Sequence, residues 1–244
     1  MKILSIIARG LFIICVPVLA FNITISWVVN SNDFYTHRFE KYDVRQSLVD
    51  NGLNFTNYDM EKIAQGFIRY FNSSDELIHL TVMQNGKTVE LFNSEEILHF
   101  KDVKGLFRLN YYLLAGTLAY CLAFALISIF WRKGKYRLHL AWSAATGSAL
   151  TLGIMILLGI GIWLNFDQLF YQFHLISFSN DFWSAEGNML LLFPQGFWYD
   201  AVIYCAVTIA LMAIILDIVS GVYLGYRRKK DKAIIPPIDA ASSS

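Results

Sequence analysis

Two histidines of this chain lie close to carboxylates in segments that are also rich in aromatic residues. His99 belongs to EEILHFKDVKGLF (residues 95–107), and His174 belongs to FHLISFSNDFW (residues 173–183). The ordinary pKa of histidine is about 6.5, so an imidazole can accept and return a proton near neutral pH. The two segments therefore supply two candidate groups for general acid–base catalysis.

Polar residues near each histidine could orient the ring or contact a substrate. Asp102 follows His99 by three residues, so on a helix its carboxylate is expected to lie beside that imidazole and to fix its tautomer. Asn180 and Asp181 add an amide and a carboxylate near His174. A solvated helix face explains His99 equally well, and an aromatic belt at the membrane interface is the alternative for His174.

The composition indicates that these segments belong to a membrane protein. The 244 residues are 56% hydrophobic and only 16% charged. The net charge is +1 and no basic stripe with interleaved aromatic residues is present, so we do not expect nucleic acid as a partner. Four segments reach the roughly 20 apolar residues that a membrane span needs: Ile6–Val29, Tyr111–Trp131, Leu138–Trp163 and Ala201–Tyr226.

Basic residues indicate how the spans are oriented. They cluster before or early in the first span, between the second and third spans, and after the fourth span. The positive-inside rule then predicts that both termini are cytoplasmic and that both histidine segments lie on the extracytoplasmic side of the membrane.

The segment between the first two spans has the pattern of a small α+β cap. Apolar residues recur at helical spacing in MEKIAQGFIRYF (residues 60–71), which Thr56 or Asn57 can cap. LTVMQNGKTVELF (residues 80–92) alternates around an Asn-Gly pair, which is a strong hairpin signal. The predicted fold class is therefore an α-helical polytopic membrane protein with four transmembrane helices and an extracytoplasmic cap containing a β-hairpin.

Helix signals also surround both histidine segments. Asn93 and Glu96 form a capping-box pattern, which predicts a helix that runs on into the second span. After the third span we expect an amphipathic interfacial segment with Phe166, Phe170 and Phe173 facing lipid. The predicted organisation is a first span at 1–29, a cap at 30–108, three spans at 109–226 with an interfacial exterior segment at 165–200, and a disordered cytoplasmic tail at 227–244.

Several other functions are disfavoured by the residues that are present. The cysteines stand apart inside apolar runs, and no His or Cys pair has the local spacing of metal ligands, so neither a metal nor a cofactor is predicted. The sequence has no internal repeat, which argues against a transporter. The remaining alternative from another class is a non-catalytic membrane sensor or accessory subunit whose exterior cap binds a partner or a lipid.

Three segments together resemble a bacterial integral-membrane family, the lipoprotein intramolecular transacylases. They are EEILHFKDVKGLF, FHLISFSNDFW and LLLFPQGFW (residues 190–198). The resemblance implies an acyltransferase that moves the sn-2 acyl chain of a diacylglyceryl-cysteine lipoprotein to the α-amino group of the same cysteine. Family members often have Asp-Pro after the Trp of the second segment, whereas this chain has Ser-Ala-Glu-Gly (residues 184–187).

The resemblance implies that His99 and His174 are the catalytic pair, one as base at the amine and the other as acid at the glyceryl oxygen. We expect Asp102 to orient His99, and a diacylated lipoprotein and membrane lipids to be the partners. Lys101, Lys104 and Arg108 recur one helical turn apart, and a snorkelling positive fringe explains them better than phosphate binding does. Substrate contacts are assigned to Asn180, Asp181, Trp183 and Lys101.

Overall fold

The computed structural model of the protein describes residues 2–84 and 87–234. Most of these residues are helical, and two short strands form an antiparallel pair. The elements are α1 (Lys2–Val29), α2 (Asn32–Lys41), α3 (Val44–Asp50), α4 (Asn57–Asn72), β1 (Thr81–Gln84), β2 (Lys87–Glu90), α5 (Ser94–Phe130), α6 (Arg137–Ser177), α7 (Asn188–Leu192) and α8 (Gln195–Ile234).

Within the described ranges, four helices are long and apolar enough to cross a membrane, which confirms the four predicted spans. They are Ile3–Val29, Ser94–Phe130, Arg137–Ser177 and Gln195–Asp231. The last three each have 37 or more residues, whereas a bilayer core needs about 20. Parts of these helices therefore extend beyond the hydrocarbon.

The uncharged part of α5 shows where its membrane crossing begins. No charged residue occurs in 109–131, whereas six charged residues occur in the stretch 94–108. The first turns of α5, which carry His99, therefore precede the segment that is apolar enough to lie in hydrocarbon.

An irregular residue divides α6 before His174. Asn165 has φ −165° and ψ 93°, outside the helical range, and its side-chain Oδ1 accepts a hydrogen bond from the backbone N–H of Gln168 at 2.9 Å. This is the geometry of an N-cap, so residues 166–177 form a helical segment with its own start.

The aromatic residues of that segment differ from the sequence prediction. Phe166 is buried and packs edge-on against Tyr199, with ring centroids 5.2 Å apart. Phe170 is partly buried and its ring lies 5.8 Å from that of Trp198. The prediction that Phe166 and Phe170 face lipid is therefore wrong, because two aromatic residues of α8 cover them, while Phe173 is half-exposed as expected.

The chain divides into two compact units. The first comprises Met1–Phe21, Leu114–Ile156 and Thr208–Ser244, and the second comprises Asn22–Leu113 and Leu157–Val207. In the first unit, Phe12 stacks on Phe124 at 4.6 Å. Gly147 approaches the backbone of α1 so closely that a Cβ would lie 2.8 Å from Val16, which is typical of small residues at helix contacts in membranes.

The second unit has the larger core, which is rich in aromatic side chains. Phe67 of α4 is fully buried at its centre. Its ring contacts those of Tyr35, Phe71, Phe92, Phe100 and Phe193 at centroid distances from 5.0 to 6.3 Å. These partners come from α2, α4, α5 and the segments next to α5 and α8, so this one side chain joins the elements that precede and follow the histidines.

The predicted cap elements are present in the second unit. Thr56, one of the two residues predicted to cap this helix, is the N-cap of α4, and it forms a reciprocal capping box with Asp59. The hydroxyl and backbone N–H of Thr56 hold the pKa of the Asp59 carboxyl below its usual value. Strands β1 and β2 pair with Gln84 opposite Lys87, and the Asn-Gly connection between them lies outside the described residues.

Helix α8 extends further than predicted. It continues to Ile234, so the prediction of disorder from Arg227 onward does not hold for residues 227–234. Lys and Arg are good helix formers, which allows the basic run to continue the helix. The rest of the predicted tail lies outside the described residues.

Candidate active site

The start of α5 is fixed by a buried carboxylate. Asn93 Oδ1 accepts the backbone N–H of Glu96 at 3.0 Å, and the Glu96 carboxylate accepts that of Asn93 at 2.8 Å, which confirms the predicted capping box. The other oxygen of Glu96 accepts the backbone N–H of Met189, the second residue of α7, at 2.6 Å. Glu96 is only 1% exposed, so it connects α5 to α7 one helical turn before His99.

The loop at residues 184–187, which has Ser-Ala-Glu-Gly in place of Asp-Pro, packs directly on the Glu96 carboxylate. A Cβ on Gly187 would lie 2.3 Å from Glu96 Oε1 and 2.5 Å from its Cδ. Only glycine leaves room for the close approach. The sequence Ser-Ala-Glu-Gly therefore has a structural use here: its last residue admits the Glu96 side chain.

The structure brings the two histidines together. His99 comes from the start of α5 and His174 from the end of α6, and their ring centroids are 6.3 Å apart with an interplanar angle of 27°. Each side chain is only 7% exposed. Two imidazoles at this separation could serve two atoms of one substrate.

One hydrogen bond defines the tautomer of His174. Its Nδ1 lies 2.7 Å from the backbone carbonyl oxygen of Phe170. Because a carbonyl oxygen only accepts, Nδ1 must carry the proton, and in the neutral ring the lone pair is on Nε2. Aromatic rings surround the imidazole, with Phe170 at 4.4 Å, Trp183 at 4.9 Å and Phe173 at 5.3 Å between centroids.

His99 has a different environment. Its Nδ1 is buried and has no hydrogen-bond partner among the residues that the structure describes. The Asp102 carboxylate, which we expected to orient this ring, instead accepts a hydrogen bond from Asn180 Nδ2 at 2.8 Å. Asn180 reaches Asp102 because the chain turns back after α6, and sequence spacing along α5 could not show this contact.

The residues assigned to substrate binding lie at different distances from the pair. Trp183 packs on His174, whereas the side-chain amide of Asn180 donates to Asp102. Asp181 is exposed at the start of a short 3-10 turn. Lys101 is exposed and pairs with Glu76 at 2.5 Å, and this contact holds the pKa of the Glu76 carboxyl below its usual value.

Phe178 contacts both imidazoles and was not singled out by the sequence. Its ring centroid is 5.0 Å from that of His99 and 5.6 Å from that of His174. Phe178 and Asp102 also line a cavity of about 700 Å³. The Phe178 ring therefore lies between the cavity and the histidine pair, and its place four residues after His174 is the only signal that sequence spacing offered.

Comparisons with known proteins agree with this architecture. A model of the family "lipoprotein intramolecular transacylase Lit" matches residues 10–198. Structures of the membrane-integral lipoprotein intramolecular transacylase from Bacillus cereus share the fold: one has a TM-score of 0.71 at 19% identity and covers 96% of this chain and 100% of its own. A second, with one histidine substituted, covers 94% of this chain and 96% of its own with the same TM-score and identity.

A relative from another bacterium is similar over part of its length. An uncharacterised protein of Aquifex aeolicus (strain VF5) is 27% identical over 140 residues, which is 55% of this chain and 57% of that protein. This chain therefore aligns with a little over half of the Aquifex relative.

Replacing Gly187 with Ala should destabilise the protein. The added methyl would displace the buried Glu96 carboxylate, and overpacking of this kind typically costs about 1–3 kcal/mol. Thermal unfolding in detergent measures the effect. Gly116→Ala is the matched control, because nothing lies within 4 Å of its Cβ position. Equal unfolding temperatures for Gly187→Ala and wild type would contradict the packing described.

Removal of the Phe178 ring should expose the histidines. Phe178→Ala is expected to raise the rate at which diethyl pyrocarbonate modifies His99 and His174 several-fold, because the ring that covers both imidazoles is gone. Peptide mass spectrometry measures modification at each site. Tyr112→Ala, at an exposed position of α5, should leave both rates unchanged. Unaltered rates in Phe178→Ala would show that this ring does not shield the pair.

Proposed function

Because the chain belongs to the lipoprotein intramolecular transacylases, a family of acyltransferases, we propose that it converts diacylated lipoproteins to the lyso-form. In this reaction the sn-2 acyl chain of the diacylglyceryl-cysteine moves to the α-amino group of the same cysteine. The observation that supports the proposal best is the packing of two buried imidazoles 6.3 Å apart next to a cavity.

The chemistry of the substrate explains the need for two proton carriers. An α-amino group has an ordinary pKa near 7.7–8.0, so at neutral pH much of it is protonated and cannot attack an ester. As the new C–N bond forms and the C–O bond to glycerol breaks, the nitrogen loses a proton and the glyceryl oxygen gains one. A base and an acid, each close to one of these atoms, satisfy both requirements.

The environments of the two rings favour different roles. His174 donates from Nδ1 to a carbonyl, so its Nε2 lone pair is available and we assign it the role of base. Burial, and after it the nearby His174, lower the pKa of His99 to about 4, and the Asp102 carboxylate offsets this shift only in part, so the resting ring is neutral. We assign His99 the role of acid, because a ring with a lowered pKa gives up a proton readily once it has taken one up. Among the described residues the buried Nδ1 of His99 has no hydrogen-bond partner, and a substrate oxygen is a suitable one.

No nucleophile of the protein takes part in this scheme. The amine and the ester belong to one molecule, so the site needs only to hold them together, and such proximity can supply a large part of the rate enhancement. The substrate's acyl chains share the bilayer with the four spans. Asn180 acts indirectly, by holding Asp102.

The proposed orientation puts the histidine pair on the extracytoplasmic side, with both termini in the cytoplasm. The clusters of basic residues at the opposite ends of the spans support it. The uncharged segment of α5 begins only after Arg108, so His99 is expected at or above the outer interface.

Loss of either imidazole should nearly abolish the reaction. We expect His99→Ala and His174→Ala to lower the rate about 10²–10⁴-fold, which is the usual contribution of general acid–base catalysis. The assay uses protein reconstituted in liposomes with a synthetic diacylated lipopeptide, and tandem mass spectrometry locates the acyl chain. His37→Ala is the control, because His37 is exposed on α2. Wild-type rates in both variants would refute histidine catalysis, whereas no conversion by the wild-type protein would favour the non-catalytic sensor.

Neutralising Asp102 should have a smaller effect than loss of His99. Asp102→Asn keeps the size of the side chain but removes the charge that favours a protonated His99, and about a tenfold lower rate corresponds to 1.4 kcal/mol. The same lipopeptide assay measures it. Asn180→Ala should also slow the reaction, because Asp102 loses its hydrogen-bond donor. A rate for Asp102→Asn as low as that for His99→Ala would make the carboxylate the principal group.

A further inference from the structure

The cavity beside the histidine pair has a cationic wall that the proposed reaction does not use. Lys101, Lys104 and Arg108 line one side of it, at the spacing of successive turns of α5. Glu76 and Asp102 are its acidic residues. The diacylglyceryl-cysteine group of the proposed substrate has no phosphate, so this wall has no counterpart in the reacting part of that molecule.

The positive charges are only partly balanced. Lys101 pairs with Glu76, whereas Lys104 is 2% exposed and its Nζ donates to Ser73 Oγ at 3.1 Å and to a backbone carbonyl at 2.7 Å. In the described part of the chain neither Lys104 nor Arg108 forms an ion pair with a carboxylate. Lys104 Nζ also lies 4.0 Å from the centroid of the Tyr70 ring, which offsets part of the cost of burying this ammonium, and a bound anion would offset more of it.

The depth of the cationic wall matches that of lipid headgroups. Arg108 is the last charged residue before the uncharged segment 109–131. At 1.5 Å per residue, the distance from Lys101 to Arg108 along the helix is roughly 10 Å. The polar headgroup layer of a bilayer is about 5–8 Å thick on each side, so the wall spans this layer when residue 109 enters the hydrocarbon.

Neighbouring groups complete a site for a phosphate with attached acyl chains. Ser177 and Ser179, which follow α6 or end it, also line the cavity. Exposed apolar side chains continue from both helices, with Ile176 on α6, and Leu109 and Tyr112 on α5. These side chains could pack against the acyl chains.

We propose that this cavity binds the headgroup of an anionic phospholipid. Arg108 and Lys101 contact the phosphate oxygens, and the serine hydroxyl groups donate to the remaining oxygens. The buried ammonium of Lys104 adds a positive charge that attracts the phosphate. The lipid is a second ligand and does not take part in acyl transfer. Phe178 lies between Ser177 and Ser179 in the chain and packs on both imidazoles. A bound lipid that contacts these serines therefore holds residues 177–179 against the histidine pair.

A binding experiment tests this site without measuring activity. Purified protein in a neutral detergent is titrated with short-chain phosphatidylglycerol while its thermal unfolding is followed. We expect the anionic lipid to raise the unfolding temperature, and Arg108→Gln to weaken its apparent affinity about tenfold, the equivalent of one charge-assisted contact. Arg45→Gln removes a positive charge that is also exposed, from α3, and should leave the affinity unchanged.

Two further ligands distinguish the possible sources of the anion. Phosphatidylcholine of the same chain length should give a much smaller shift, because its headgroup has no net charge, and inorganic phosphate at the same concentration should give little shift, because it has no acyl chains. An equal shift with either of them would overturn the proposal, as would undiminished binding in Arg108→Gln.

A second, milder variant keeps the test valid if Arg108→Gln does not fold. Ser179→Ala removes one hydroxyl donor from the cavity and no charge, and we expect it to weaken phosphatidylglycerol binding by a smaller factor than Arg108→Gln does. Unchanged binding in both variants would contradict the site. Since the readout is lipid affinity, this result is independent of whether the acyl transfer itself is observed.

Discussion

The buried carboxylate of Glu96 is the contact on which the geometry of the histidine pair depends. It accepts two backbone N–H groups, one at the start of α5 and one in α7, and it sits against a glycine that leaves it room. A buried N–H without a partner typically costs 1–3 kcal/mol, so the two elements are held in one relative register. His99 is three residues further along α5, and its position follows from that register.

The surroundings of the imidazoles suit proton transfer at the edge of a membrane. Both rings are almost completely buried among aromatic side chains, which exclude water while leaving the ring nitrogens as the main polar atoms. In such a setting each hydrogen bond counts for more than it would in water. The hydrogen bond from His174 Nδ1 to a backbone carbonyl and the carboxylate near His99 make the two rings chemically unequal.

Sequence reasoning predicted what depends on local pattern and missed what depends on distant contacts. Apolar runs, capping residues and the hairpin signal identified the spans, α4 and the start of α5, because each depends on neighbours within a few residues. The contacts of Asp102 with Asn180 and of Glu96 with Met189 join residues 78 and 93 positions apart. For the same reason, the inward orientation of Phe166 and Phe170 could not be predicted without their partners on α8.

The irregular backbone at Asn165 affects how His174 is attached to its span. An unbroken helix would transmit every tilt of the membrane-crossing part to the imidazole, but the hydrogen-bond ladder is interrupted here and a side-chain cap starts it again. The final turns of α6 can therefore differ in direction from the part of the helix that crosses the membrane. The packing of Phe166 and Phe170 on α8, rather than the tilt of the span, then sets where His174 lies.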